Sequence, residues 1–228
     1  MAEKGIIFSA PMVRALLDGR KTQTRRIVRP VMLPGVNPKF SDLKAHPHGK
    51  HGEGRWMIHG SEEASEPFRV PFAPGDRLYV REAFALVGAV DPGWMLYRAS
   101  GYDEECARHG FDNPPPECEV RWKPSIHMPR WASRLWLTVT DVRVERVGAI
   151  SEADAIAEGI SERPCVGPYR GPDATYWSAD FDHGELSRTT PVHAFAALWN
   201  SLHTNPGETW DANPWVVAVT FEVEEKGN

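Results

Sequence analysis

Proline and glycine constrain this chain more than any other feature: 20 prolines and 19 glycines are spread along its 228 residues. Proline removes a backbone donor and clashes with the preceding helical turn, and glycine weakens helix and strand interiors alike. Helices must therefore be short and connections many. Gly5-Ile6-Ile7-Phe8 reads as a short buried strand, and Ser9 as the cap of a helix with Pro11 in its first turn. Met12, Val13, Leu16 and Leu17 form that helix's apolar face, and Gly19 ends it. Lys21–Val28 reads as a strand rich in Thr and Arg.

Further along, Pro74-Gly75-Asp76 is a turn, followed by a strand over Arg77–Phe84 with Leu78 and Val80 on one face. Leu135–Val144 is the clearest strand. Its apolar parity shifts between Val139 and Val142, which predicts a bulge or break near Asp141. Ser151 opens a helix in a variant capping box, with Ala153, Ile156, Ala157 and Ile160 as its inner face. Thr190-Pro191 opens another, cored by Phe195, Leu198 and Leu202, and Trp215–Val223 is a closing strand. Three stretches, at about 30–68, 88–116 and 161–188, lack periodicity and read as loop insertions. Strands outnumber helices and do not alternate as βαβ. The pattern predicts an α+β domain on a mixed or closed sheet.

The formal net charge is -5, with a pI near 6.0, so the chain as a whole has no basic footprint for nucleic acid. Basic charge is instead local: Arg14, Arg20, Lys21, Arg25, Arg26 and Arg29 stand against Asp18 alone. Cys106, Cys118 and Cys165 are odd in number and show no Cys-x-x-Cys spacing, which points to a reducing, cytoplasmic setting. The start of the sequence lacks the apolar core of a signal peptide, and no apolar run reaches the ~20 residues of a membrane span. His46, His48, His51 and His59 lie in a proline- and glycine-rich stretch without a nearby cysteine. Closely spaced loop histidines are usually just solvated, so neither a metal nor another cofactor is expected. A P-loop, a Rossmann glycine fingerprint, a nucleophile elbow and the zinc-deaminase motif are all missing.

The segment Gly19-Arg20-Lys21-Thr22-Gln23-Thr24-Arg25-Arg26 resembles the ASCH signature, G-x-K-x-x-x-R, carried by Gly19, Lys21 and Arg25 with Arg26 beside it. Pro74–Phe84, Trp122–Arg130, Ile150–Ile160 and Trp210–Phe221 extend the likeness to the larger ASCH proteins of phages and prophages. The resemblance implies one ASCH domain over residues 1–228: a PUA-like β-barrel with short flanking helices, interrupted by the three insertions. Small ASCH proteins include amidohydrolases that remove acetyl from N4-acetylcytidine, using a lysine and a threonine of the signature and a glutamate on a later helix. Carried over by position, these are Lys21, Thr24 and Glu158.

Residue chemistry alone gives each candidate a plainer role as well. Lys21 and Thr24 stand three apart, which on a regular strand puts them on opposite faces. A threonine hydroxyl needs a base, and a lysine is one only when burial or nearby cations lower its pKa. Arg20, Arg25 and Arg26 are candidates for that field and for ligand contact, although most such clusters are solvated strand edges. Glu158 is a general-acid candidate or a surface helix glutamate, and Glu82 is a rival carboxylate or a strand-end ion-pair partner. Lys123, His127, Arg130 and Arg134, with Trp122 and Trp131, have the composition of a base-stacking, phosphate-contacting segment or of a proline-fixed loop. Two functional classes follow. One is an amidohydrolase on an N4-acylated cytosine nucleoside or related base. The other is a module that binds RNA or a modified nucleotide without chemistry, with ribonuclease activity between them. The partner in either case is a nucleoside or RNA-type ligand, not a membrane.

Overall fold

The computed structural model describes residues 3–33, 43–47, 54–59, 65–88, 93–164, 175–179 and 190–225. In chain order the elements are β1 (Glu3–Ile7), α1 (Ala10–Leu17), β2 (Gln23–Ile27), β3 (Lys44–Pro47), β4 (Arg55–His59), β5 (Phe68–Arg69), β6 (Arg77–Arg81), β7 (Phe84–Val87), β8 (Trp94–Tyr97), α2 (Tyr102–His109), β9 (Leu135–Arg146), α3 (Glu152–Ala157), β10 (Ser161–Pro164), β11 (Thr175–Ser178), α4 (Pro191–Leu202) and β12 (Trp215–Glu225). This is an α+β chain with a mixed sheet and short helices. No helix of the described residues is long and apolar enough to cross a membrane.

The chain forms two compact units. The first combines residues 1–19, 77–138 and 223–228. In it β1 pairs with β6 in parallel, and β6 pairs antiparallel with the start of β9. Strand alternation turns Ile6, Leu78, Val80, Leu135 and Leu137 inward, all nearly fully buried. Helix α1 begins at Ser9 with Pro11 in its first turn, buries Val13, Ala15 and Leu16, and ends at Asp18 before Gly19, which takes a positive φ of 68°. The described part of the second insertion holds regular structure: β7 pairs antiparallel with β8, and α2 follows.

The second unit combines residues 20–76 and 139–222. Its sheet order is the end of β9, then β12, then β2, with β12 and β2 antiparallel. Among the described residues neither unit's strands close on themselves. A core of Val147, Ile150, Ala155, Ile160, Phe195, Leu198 and Trp199 packs α3 and α4 together. Both helices are capped as their sequences predict: the Ser151 hydroxyl accepts from the Asp154 N–H and the Thr190 hydroxyl from the His193 N–H. The other two insertions hold strands as well, a meander of β3, β4 and β5 and a β10–β11 hairpin.

Strand β9 runs through Asp141 without interruption. The alternation of burial shifts there, with Thr140 and Asp141 both exposed between the buried Val139 and Val144. Helix α3 also differs from its apolar pattern. Ile156 is 42% exposed and Ala153 lies outside, whereas Ala155 and Glu158 are buried. The helix is rotated because a carboxylate near its end has cationic partners inside the unit.

Candidate functional site

Strand β2 and the end of α3 build the site in the second unit. Alternation sends Gln23 and Arg25 to one face of β2 and Thr24 and Arg26 to the other. Register fixes them: Thr24 lies opposite Val219, and Arg25 opposite Ala218, on β12. Just before β2 the chain bridges to the end of α3. The Thr22 N–H donates to the Ala157 carbonyl at 2.9 Å, and Lys21 and Glu158 form an isolated antiparallel bridge.

The side chains continue that bridge. Lys21 Nζ donates to Glu158 Oε2 at 2.6 Å and to the Glu158 carbonyl at 2.9 Å. The ammonium is fully buried and the carboxylate nearly so. Arg25 reaches the other carboxylate oxygen at 3.2 Å, and also meets Glu145 at 2.7 Å and Asp154 at 3.4 Å. Its guanidinium carbon lies 5.9 Å from the Phe195 ring centroid. Gln23 donates to Asp154 and to the Thr220 hydroxyl and accepts from Arg25. Arg143 donates to Asp154 at 3.0 Å.

Burial is the largest influence on Lys21 and lowers its pKa from 10.5; Glu158 opposes this, and Arg26 and Arg25 reinforce it. Burial also lowers Arg26, against Glu158. Glu158 is therefore felt from both faces of β2: bonded by Arg25 on one and attracting Arg26 from the other. His203, at the end of α4, is lowered by burial and by Arg26, with Glu208 opposing. Its ring stacks on Trp199 with centroids 4.1 Å apart.

The second unit thus brings Lys21, Arg25 and Glu158 into direct contact, while Thr24, 2% exposed, lies on the face of β2 opposite Arg25. Arg20 donates to the Gly159 carbonyl at 3.1 Å. At Lys21 and Arg25 the run of cations is not a solvated strand edge, since both are buried, whereas Arg29 is exposed. Gln23, Glu145, Asp154 and Arg143 are further members that sequence reasoning missed. Only the Gln at the centre of the signature hinted at one of them.

Glu82, Lys123, His127 and Arg130 belong to the first unit. Both Glu82 oxygens are taken by Arg134, at 2.9 and 3.0 Å. Arg134 also donates to Ser100 and lies 3.8 Å from Glu105. Burial raises the Glu82 pKa; the Arg134 hydrogen bond and charge pull it down, and Glu105 raises it further. Lys123 pairs through its backbone with Phe84, and its ammonium is 5.9 Å from that ring's centroid. His127 is exposed in a turn, its N–H on the Pro124 carbonyl. Arg130 is exposed, ion-paired with Glu3 and 5.4 Å from the Trp136 ring centroid.

No three His, Cys, Asp or Glu side chains are grouped to hold a metal among the described residues. His48, His51 and Cys165 lie outside the described residues. Compared with family models, curated proteins and solved structures, the chain has no match.

Proposed function

We propose that this protein is a metal-free amidohydrolase acting on an N4-acylated cytosine nucleoside or a related modified base. The observation that carries the reading is the buried Lys21–Glu158 pair, 2.6 Å from nitrogen to oxygen; Thr24, three positions along the chain from Lys21, is buried as well. Removing two charges from water is expensive, and apolar residues of similar volume commonly stabilise a fold at least as well. A buried lysine with a lowered pKa is therefore a functional candidate. The ASCH resemblance adds the substrate class, and with it a PUA-like barrel arrangement of the strands.

In this reading Glu158 takes a proton from Lys21, leaving a neutral amine. Thr24 Oγ attacks the acyl carbonyl and gives its proton to Lys21 Nζ. The C–N bond breaks as Glu158 returns its proton to the departing amine nitrogen. Arg26 lies on the Thr24 face of β2 and stabilises the oxyanion. Water, deprotonated by Glu158, then attacks the acyl-threonine ester; the C–Oγ bond breaks as Glu158 returns that proton to Thr24 Oγ, and the acid is released. Hydrogen bonds between catalytic groups are often loose before ligand binds, so Thr24 needs to meet Nζ only in the complex.

The second reading, a nucleotide- or RNA-binding module without chemistry, is favoured by the near-complete burial of Thr24 and Lys21. Turnover of N4-acetylcytidine, followed by release of acetate and cytidine, decides between them. Hydrolysis that falls about 10²–10⁴-fold in Lys21→Met supports the enzyme. No turnover by the parent across several acylated cytidines overturns it.

A further inference from the structure

The first unit has a sheet surface that the deacylase reading does not use. On the outer side of β1, β6 and β9, one row of the register sets Gly5 beside Tyr79 and Tyr79 beside Trp136. The two rings are 5.8 Å apart at a 51° tilt. Gly5 makes the row possible: a Cβ there would sit 2.9 Å from Tyr79 Cζ and 2.8 Å from Arg81 Cδ. The missing side chain lets the tyrosine ring lie down across β1, which turns a strand row into an aromatic platform.

Cations flank the Trp136 end of this platform. The guanidinium carbons of Arg77 and Arg130 lie 4.9 and 5.4 Å from the Trp136 ring centroid. Arg81 follows Tyr79 on the same side of β6 and donates to the Ile126 carbonyl. Exposed Ile7, opposite Arg81, and exposed Ile126 form an apolar rim. The carboxylates that meet Arg77 and Arg130 are Glu224 and Glu3, in ion pairs open to solvent on both sides. Such pairs contribute little to stability, so an incoming phosphate can replace either carboxylate.

We infer that the outer sheet face of Tyr79, Trp136, Arg77, Arg81 and Arg130 is a binding surface for single-stranded nucleic acid. Bases stack on the two rings and phosphates take the guanidinium groups. The charge and the rings together select this occupant. An acidic peptide would satisfy the arginines but not the flat rings, and a second copy of the chain would bury arginines against arginines. A duplex hides its base faces and cannot stack here.

The test is fluorescence anisotropy with a fluorescein-labelled 12-nucleotide single-stranded RNA, its duplex form and an oligoglutamate peptide. The expected result is preference for the single strand, with a log–log salt slope of about -2 for three phosphate contacts. Tyr79→Ala and Trp136→Ala should each weaken binding roughly 5–150-fold, the range for loss of one stacked base. Trp136→Phe should recover most of it. Gly5→Ala, which keeps both rings and every cation, should weaken binding by lifting Tyr79, and Arg77→Gln should flatten the salt slope by about 0.7. Tyr79→Ala, Gly5→Ala and Arg77→Gln should leave hydrolysis of free N4-acetylcytidine unchanged, so failure here is distinct from failure of the deacylase reading. Equal affinity for the duplex, tighter binding of oligoglutamate, or RNA binding unaffected by Tyr79→Ala and Gly5→Ala would each overturn the inference.

Discussion

Lys21 and Glu158 are joined by main chain and side chain at once: they form a backbone bridge, and Lys21 Nζ bonds both the carboxylate and the carbonyl of Glu158. The bridge locates the side chains before any ligand arrives. It also makes the pair part of the fold, which changes what a substitution will do. An exposed signature lysine could be removed without cost, but this one is fully buried.

Removing one partner should therefore destabilise more than removing both charges. Lys21→Met leaves a buried carboxylate bonded by Arg25 and attracted by Arg26 but without its shortest hydrogen bond, and should cost about 3–5 kcal/mol. Glu158→Gln strands a buried ammonium at similar cost. The double variant should be less destabilised than the sum of the singles. Urea unfolding of the four proteins gives the coupling energy. Additive effects would show that the two groups do not sense each other.

The lowered pKa of Lys21 carries a sign that can be checked. Between its folded value and 10.5 the unfolded chain binds the extra proton, so Lys21's contribution makes stability rise with pH across that window. Below the folded value the charged, buried form carries its full penalty. The gap in unfolding free energy between the parent and Lys21→Met should thus shift in the parent's favour as pH rises toward 10.5. Deacylation should fall over the same window, because loss of the pair's shared proton leaves Glu158 none to give the departing amine. Lys21→Arg should lose turnover at every pH, because a guanidinium stays protonated.

Much of this fold is legible because it rests on local rules. Ser151 and Thr190 cap their helices as side-chain chemistry dictates, and Leu78 and Val80 turn inward by strand alternation. Where prediction and structure part, long-range charge has overruled local pattern. Ile156 faces outward because Glu158, three chain positions from the buried Ala155, is drawn in by Lys21 and Arg25. No hydrophobic periodicity contains that information. The strands within the three proline-rich stretches were hidden for another reason, since strands of two to five residues are too short to establish an alternation against frequent turn residues. The signature picked out Lys21, but its burial depends on residues more than 130 positions away, as the Lys21–Glu158 separation of 137 shows.

Arg25 should be the least replaceable member of the cluster. Its fork meets Glu145, Asp154 and Glu158 together, with no side-chain exposure. A lysine offers a single ammonium that cannot span them. Arg25→Lys should therefore lower stability by about 2–4 kcal/mol, comparable to breaking part of a buried ionic network. Arg29→Lys, on an exposed side chain paired with Glu208, should stay within about 0.5 kcal/mol. Melting curves of the two variants compare them directly, and equal curves would remove Arg25 from its anchoring role.

Two buried carboxylates compete for the catalytic assignment, and their partners separate them. Glu158 shares its proton-bearing partner Lys21 with the proposed nucleophile's segment, whereas Glu82 has both oxygens on Arg134, a group that stays protonated and passes no proton on. Glu82→Gln should break the two-pronged contact and cost about 3 kcal/mol or more in stability, while hydrolysis of N4-acetylcytidine per folded molecule stays near the parent rate. Glu158→Gln should reduce that rate by about 10²–10⁴-fold, the usual loss for a general acid–base group. Glu82 also has its pKa raised by burial, so its ionisation in the folded state works against stability as pH climbs from the ordinary carboxylate range. The Glu82→Gln variant should lack that decline. Measuring rate and stability on both variants keeps folding and chemistry apart. A Glu82→Gln protein that folds but is inactive, beside an active Glu158→Gln, would move the chemistry to the other carboxylate.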